Sequence, residues 1–409
     1  MKRRNFLSAA VLGSLFTIDS ALAKNKKPAP SANKKAGALA DKKGAKPGKV
    51  RKPTTHTATT PITENPPVGS SSTHLPPVKA PEAPTQWRSY EIQTTITLPK
   101  TPGRSRLWLP LPLSQDTLYQ RTLSHSWRDN ADVASLRRLP EGDLDVFYGE
   151  WAEGVEPSLQ LTTIVSTADR HFDVTRRTMP PDRDDILRKN LRASNLIPND
   201  GDAHKLSEQI IGRIKDPIAQ VRAIYEWVID NSIYDLTLPG CGSGDIRKQI
   251  EERRYGGRSA DINGLFVALC RAAGIPARCV YGLRLDNSRI FSSLGLRQGE
   301  ATRGQHCRAE FYTPGYGWVP VDPSDVRRAM ALEILGDRDP RTLSLKRLLF
   351  GVWEMNWLAY NFGNDIPLPE SREVEPFFVL PRAELNGKSI AGLEPESFKY
   401  SISSRRLDG

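Results

Sequence analysis

The stretch Tyr255–Gly282, "YGGRSADINGLFVALCRAAGIPARCVYG", restricts the possible fold more than any other part of the chain. Two glycines lead into it, and Ile262, Leu265, Phe266, Leu269 and Cys270 then recur at helical spacing. Gly274-Ile275-Pro276 supplies a C-cap glycine followed by a breaker, and "ARCVYGLRL" reads as a strand. Leu283 to Thr302 is a long polar loop, "HCRAEFY" a second strand, "TPGYG" a turn, and "WVPVDPSD" a third strand ending in acid. Ser259 therefore opens a helix, His306 sits on a strand, and Asp322 on the next.

That order has a chemical logic. A nucleophile at a helix start feels the positive end of the helix dipole, which favours an anion there. A histidine beside it serves as base, and an acid holds the imidazole in the right tautomer. The backbone N–H at the same helix start can face a developing oxyanion. A cysteine in this position becomes a thiolate near neutral pH, whereas a serine needs the histidine to take its proton during attack. Serine is also a good N-cap residue, worth about 1 kcal/mol over alanine, and can hold the helix with no chemistry at all.

Upstream, "DRDDILRKNL" is a helix candidate and "DAHKLSEQIIGRI" places Leu206, Ile210 and Ile214 four residues apart. Asp216-Pro217 offers an N-cap and a first-turn proline for a helix with Ile218, Val221, Ile224, Tyr225 and Val228 on one face. These stripes read as core. Residues 86–174 follow a β pattern: Tyr90, Ile92, Ile96 and Leu98 alternate, as do Leu159, Leu161, Thr163 and Val165. Several short strands in ninety residues suggest a small β-sandwich. His125 and His171 there stand alone. Downstream, a tryptophan-rich helix is expected near Leu343 to Tyr360, and a hairpin around Leu385-Asn386-Gly387.

The chain begins differently. Residues 1–23 have a basic start, a short apolar run and a small-x-small ending at Ala21-Leu22-Ala23, the layout of an export signal. Arg3-Arg4 followed by Asn5-Phe6-Leu7 resembles a Tat signal; an ordinary Sec signal with incidental arginines has the same layout. Residues 24–85, rich in Lys, Ala, Pro, Ser and Thr, read as a disordered linker. Between Lys24 and Lys52 eleven basic residues face one acid, Asp41. With the net +2 of the first 23 residues, this exceeds the whole chain's +11, so the rest carries −1. The basicity belongs to a tail, which suits an anionic envelope polymer or membrane surface; a solubilising spacer is the plainer alternative. Nucleic acid is not expected as a partner, since no binding motif occurs in the folded part.

Cys241, Cys270, Cys279 and Cys307 include no C-x-x-C pair and no zinc spacing, so neither a metal site nor a cofactor is expected. Cys270 reads as a buried thiol, and Cys279 and Cys307 as neighbours on strands. Cys307 should point away from His306, to the opposite sheet face. Cys241, in "PGCGSGD", can approach the site but has no base fixed beside it.

Three blocks, "GCGSGD", "GGRSADINGLFVALCRAAGIPAR" and "HCRAEFYTPGYGWVPVDPSD", resemble the signature blocks of bacterial transglutaminase-like proteins. With a weaker match over "DPIAQVRAIYEWVIDNSIYD", the resemblance covers roughly Asp202 to Asp325. It implies a papain-like α+β core in residues 175–409, with a C-terminal extension, behind the N-terminal β-sandwich-like domain. It implies a Cys-His-Asp triad in which His306 and Asp322 match the family histidine and aspartate, Ser259 stands where the family has cysteine, and Asp261 matches a structural acid. The resulting expectation is an exported, periplasmic protein, catalytically impaired or inactive, that binds an extended peptide or envelope polymer. The alternative is an active acyl hydrolase, transferase or peptidase using a Ser259-His306-Asp322 triad on amide bonds.

Overall fold

The computed structural model describes residues 84–407 except 174, 176, 178 and 394–397, so the expected export signal and nearly all of the expected linker lie outside the described residues. The alternating apolar residues of the N-terminal region form two antiparallel sheets. One runs Tyr400–Arg406, Arg88–Thr97, Ser158–Thr167, Gln120–Asp129; the other Lys388–Ala391, Arg382–Leu385, Ser105–Leu111, Leu144–Trp151, Val133–Leu139. Tyr90, Ile92, Ile96, Leu159, Leu161, Thr163 and Val165 are all buried, as period two requires. Trp127 and Phe147 meet edge to face at 5.7 Å across the two sheets. The sandwich thus recruits Arg382–Leu385, Lys388–Ala391 and Tyr400–Arg406, which the sequence places in the extension of the core. The reason is pairing: Tyr400–Arg406 and Arg382–Leu385 satisfy backbone groups that Arg88–Thr97 and Ser105–Leu111 would otherwise leave as open edges.

Seven helices occur among the described residues: α1 (Asp184–Lys189), α2 (Gly201–Ile211), α3 (Pro217–Asn231), α4 (Ile246–Glu252), α5 (Ser259–Ala272), α6 (Pro323–Leu332) and α7 (Pro340–Leu348). α2 ends at Gly212 (φ +51°), so Ile214 falls outside the helix expected for it. α3 begins as its sequence dictates, with the Asp216 carboxylate accepting from Ala219 N at 2.8 Å and Pro217 in the first turn.

All fourteen residues of α5 are buried. It lies between α2, α3, α4 and α6 on one side and a four-stranded antiparallel sheet on the other, ordered Gly317–Val321, Gln305–Thr313, Ala277–Arg284, Trp357–Asn361. Its end is a full Schellman motif: Gly274 at φ +77°, Ile275 N donating to Cys270 O at 2.9 Å and Gly274 N to Arg271 O at 3.0 Å.

The tryptophan-rich helix expected to Tyr360 stops at Leu348. Gly351, at φ +127°, turns the chain, and Trp357–Asn361 becomes an edge strand of the core sheet, buried along its whole length. Gln120 of the sandwich meets that strand, its amide donating to Ala359 O (2.8 Å) and accepting from Ala359 N (2.6 Å). Glu310, fully buried on Gln305–Thr313 two strands away, is clamped by Arg170 and by Arg278 Nε (2.8 Å). Burial raises its pKa, but the two guanidiniums outweigh that and hold the carboxyl below its ordinary value.

Candidate active site

Ser259 is the first residue of α5 rather than its cap; Arg258 holds the N-cap position. The hydroxyl does not bond its own helix, as an N-cap would. It accepts from Cys307 N at 3.1 Å, which ties the helix start to the strand carrying His306. The end of the helix is held by Asp261 instead. Its carboxylate accepts from Arg258 N (2.7 Å), Gly244 N (2.8 Å) and Ser243 Oγ (3.2 Å). The reading of Asp261 as an acid that steadies the first turn thus extends to a clamp on the loop Pro239–Asp245. Two glycines make room for it: a Cβ on Gly242 (φ +95°) or on Gly257 (φ +125°) would overlap the Asp261 carboxylate. Burial raises the pKa of Asp261, with the N–H groups of Arg258 and Gly244 pulling the other way.

His306 and Asp322 are brought together. His306 Nε2 lies 2.8 Å from Asp322 Oδ2, and both residues are buried. With Nε2 engaged, Nδ1 is the ring nitrogen left for a reacting group. Asp322 has a second task that its Asp-Pro sequence shares with Asp216-Pro217: it caps α6, with Oδ1 accepting from Asp325 N at 3.0 Å. That oxygen also accepts from Ser324 Oγ (2.7 Å) and Asn263 Nδ2 (3.1 Å).

Asn263 and Asp325 have no role in the sequence reading, and both belong to the site. Asn263, wholly buried, also donates to Cys307 O (2.7 Å) and Ser324 Oγ (3.0 Å), so one amide joins α5, the His306 strand and the cap of α6. The available signal was an asparagine within an otherwise apolar helical run, four residues and so one turn beyond Ser259. Asp325 Oδ1 lies 3.5 Å from His306 Nε2 and 2.6 Å from Arg284 Nη2. Burial raises its pKa, but Arg284, His306 and Arg308 outweigh that and hold it well below the ordinary range. The pKa of His306 is lowered, by burial first and by Arg284 second, with the two aspartates opposing. The imidazole is therefore neutral at pH 7 and able to accept a proton.

Donor atoms of His306, Asp322 and Asp325 lie within 4.8 Å of one another, a spacing that suits a cation. The charge balance does not. Arg284 pairs with Asp325, and Arg308 Nε lies 3.6 Å from Asp322, so two carboxylates already face two guanidiniums.

The thiols take distinct places, and all four are free. The loop of Cys241 does reach the site: Cys241 O accepts from Ala260 N at 2.9 Å, and its thiol adjoins the Ser259 hydroxyl. Burial pushes that thiol up to about 11, so it is protonated at neutral pH. Cys307 faces Cys279 on the adjacent strand, and alternation puts its side chain on the sheet face opposite that of His306.

Comparison with known proteins gives the class. Residues 204–323 match the model of the transglutaminase-like superfamily. An uncharacterized protein of Haemophilus influenzae is 33% identical over 342 residues, covering 78% of this chain and 91% of the relative. Residues 204–323 thus carry a transglutaminase-like domain. Among solved structures, a candidate cysteine protease from Cytophaga hutchinsonii is 18% identical with a TM-score of 0.52, covering 80% of this chain and 92% of that one. The likeness is one of fold, the papain-like α+β arrangement. The periplasmic domain of TgpA from Pseudomonas aeruginosa is 17% identical with a TM-score of 0.32, covering 60% and 90%.

Proposed function

We propose that this is an exported transglutaminase-like protein whose groove binds an extended peptide or envelope polymer with little or no turnover. The observation that carries the reading is the state of Ser259. In the transglutaminase-like pattern a cysteine opens this helix; here a buried hydroxyl takes the Cys307 N–H, and no hydrogen bond among the described residues joins it to His306. A serine nucleophile needs that bond to its base, while the His306-Asp322 pair persists as framework. Export rests on the layout of residues 1–23, and the basic run Lys24–Lys52 is proposed to tether the protein to an anionic envelope surface.

The experiment is amide turnover and fluorophosphonate labelling of the purified protein, beside Ser259→Cys. Binding without turnover, no label on Ser259, and activity gained by the cysteine variant support the reading. Wild-type turnover abolished by Ser259→Ala refutes it. A second reading, a working Ser259-His306-Asp322 triad, is favoured by one observation: His306 is kept neutral and oriented as a general base. Fluorophosphonate labelling that requires His306 would select it.

A further inference from the structure

Arginines near the core sheet and the site are paired with acids: Arg284 with Asp325, Arg308 with Asp322, Arg289 with Asp169 and Glu354, Arg170 and Arg278 with Glu310. Arg271 on α5 gives its N–H groups to backbone carbonyls instead, and two more arginines, one of them next to Ser259, make no ion pair among the described residues. Arg258, one residue before it, and Arg328, on α6, both stack on Tyr234, at 5.5 and 5.7 Å from the ring centre. Arg328 donates to Tyr234 Oη (2.9 Å) and Ser293 O (2.7 Å), and neither acceptor carries a charge. Arg258 Nε is buried with no partner. The acid that Arg258 influences is the half-buried Asp235, whose Oδ1 is taken by the N–H and hydroxyl of Thr237 and which makes no ion pair with it. Partly burying two uncompensated cations side by side costs free energy.

Arg328 also lines a cleft of about 500 Å³ with Ser293, Leu296, Arg297, Leu332 and Glu333. Glu333 accepts from Ser293 N (3.0 Å) and Ser292 Oγ (3.1 Å), which orients its carboxylate on that wall of the cleft. Leu332, 40% exposed, supplies an apolar wall.

We infer that Arg258 and Arg328, astride Tyr234, bind a carboxylate of a peptide seated beside Ser259, so that the site selects acidic peptides. This rests on the groove-binding reading and names its ligand class. Two planar guanidiniums against one ring, neither in an ion pair among the described residues, suit a carboxylate, and charge-assisted bonds of this kind are about twice as strong as neutral ones.

The test is titration calorimetry with acetyl-Ala-Glu-Ala-amide, its Gln counterpart, and acetyl-Ala-Gln-Ala with a free C-terminal carboxylate. Either acid should bind roughly tenfold tighter than the neutral peptide. Whichever acid wins identifies a side-chain or a terminal carboxylate as the one recognised. Arg258→Gln and Arg328→Gln should each remove most of the preference. Both should also hold or raise Tm, since each removes an uncompensated charge; a structural arginine would lower it. Equal affinity for acid and neutral peptides overturns acid selection but leaves groove binding standing. Binding of none, or a preference unchanged in both variants, overturns the inference outright. Turnover lost in Ser259→Ala would refute the non-catalytic reading alone, and the Glu-to-Gln ratio of kcat/KM would then decide this one.

Discussion

Removing the Asp261 carboxylate should unfasten the loop Pro239–Asp245 from the start of α5, and the structure gives the size of the effect. Asp261→Ala deletes the acceptor of two backbone N–H groups and one hydroxyl, at 2.7, 2.8 and 3.2 Å. Hydrogen bonds to a charged group contribute about 1.5–3 kcal/mol each. Three at the low end sum to between ~4 and ~5 kcal/mol, from which the cost of burying the carboxylate must be taken, leaving about 3 kcal/mol. For a folded part of roughly 320 residues, at about 2.1 cal/mol/K per residue, Tm should fall by about 4–5 °C. The argument has a sharper form in a double-mutant cycle. Gly242→Ala in the natural chain meets two obstacles, overlap with the Asp261 carboxylate and a φ of +95°. In the Asp261→Ala background only the backbone penalty, about 1–2 kcal/mol, is left. Urea unfolding of the four proteins should therefore show a coupling of at least about 1 kcal/mol. Additive losses, or an Asp261→Ala variant that melts with the wild type, would refute the clamp.

Three further outcomes are expected. Asn263→Ala should cost about 2–4 kcal/mol by denaturation and should also move the His306 imidazole resonances, because Asp322 loses a donor; a Tm drop with those resonances unmoved would mean that Asn263 only packs. His306 should titrate by NMR below its ordinary 6.5. A lowered histidine pKa favours the neutral folded form, so its contribution to stability is full above pH 6.5 and declines as pH falls below it, when the unfolded chain takes up a proton that the fold refuses; a midpoint above 6.5 would reverse the sign. Ile334, 91% exposed, occupies the left-handed position (φ +54°) of the Schellman turn closing α6, where Leu335 N donates to Met330 O at 2.9 Å. Ile334→Gly should relieve about 1–2 kcal/mol of strain against about 0.4–1 kcal/mol of added unfolded-state freedom, so a small rise in Tm is expected, and a fall would show that Ile334 makes a contact its exposure hides.

Local features were legible in the sequence because local chemistry decides them. The apolar spacing of α5, its Gly274-Ile275-Pro276 stop and the Asp216-Pro217 start all appear in the structure, as does the hairpin at Asn386-Gly387, where both residues have positive φ. His306 and Asp322 meet as their order along the chain implied. What escaped depends on partners far away in sequence. Trp357–Asn361 is a strand because Ala277–Arg284 is there to pair with it, overriding a helical reading of its tryptophans. Ser259 is not a cap because Arg258 holds that position and Ser259 lies in the first helical turn, where its hydroxyl takes Cys307 N. Asn263 looked like a polar interruption in a core helix, and only the folded chain shows the three acceptors that account for it.

The pairing of Arg88–Thr97 with Tyr400–Arg406 has a consequence for how the protein is made. Tyr90 lies opposite Arg406 and Ile96 opposite Tyr400, so a central strand of the first sheet waits for a neighbour more than 300 residues later in the chain. While the ribosome is still working, the apolar face of that strand can be covered but its outer hydrogen-bonding edge cannot, and a nascent chain halted before Tyr400 presents that edge as a template for other strands. Completion of the sandwich therefore reports that translation has passed residue 406, and a truncated product carries its own mark for aggregation or proteolysis.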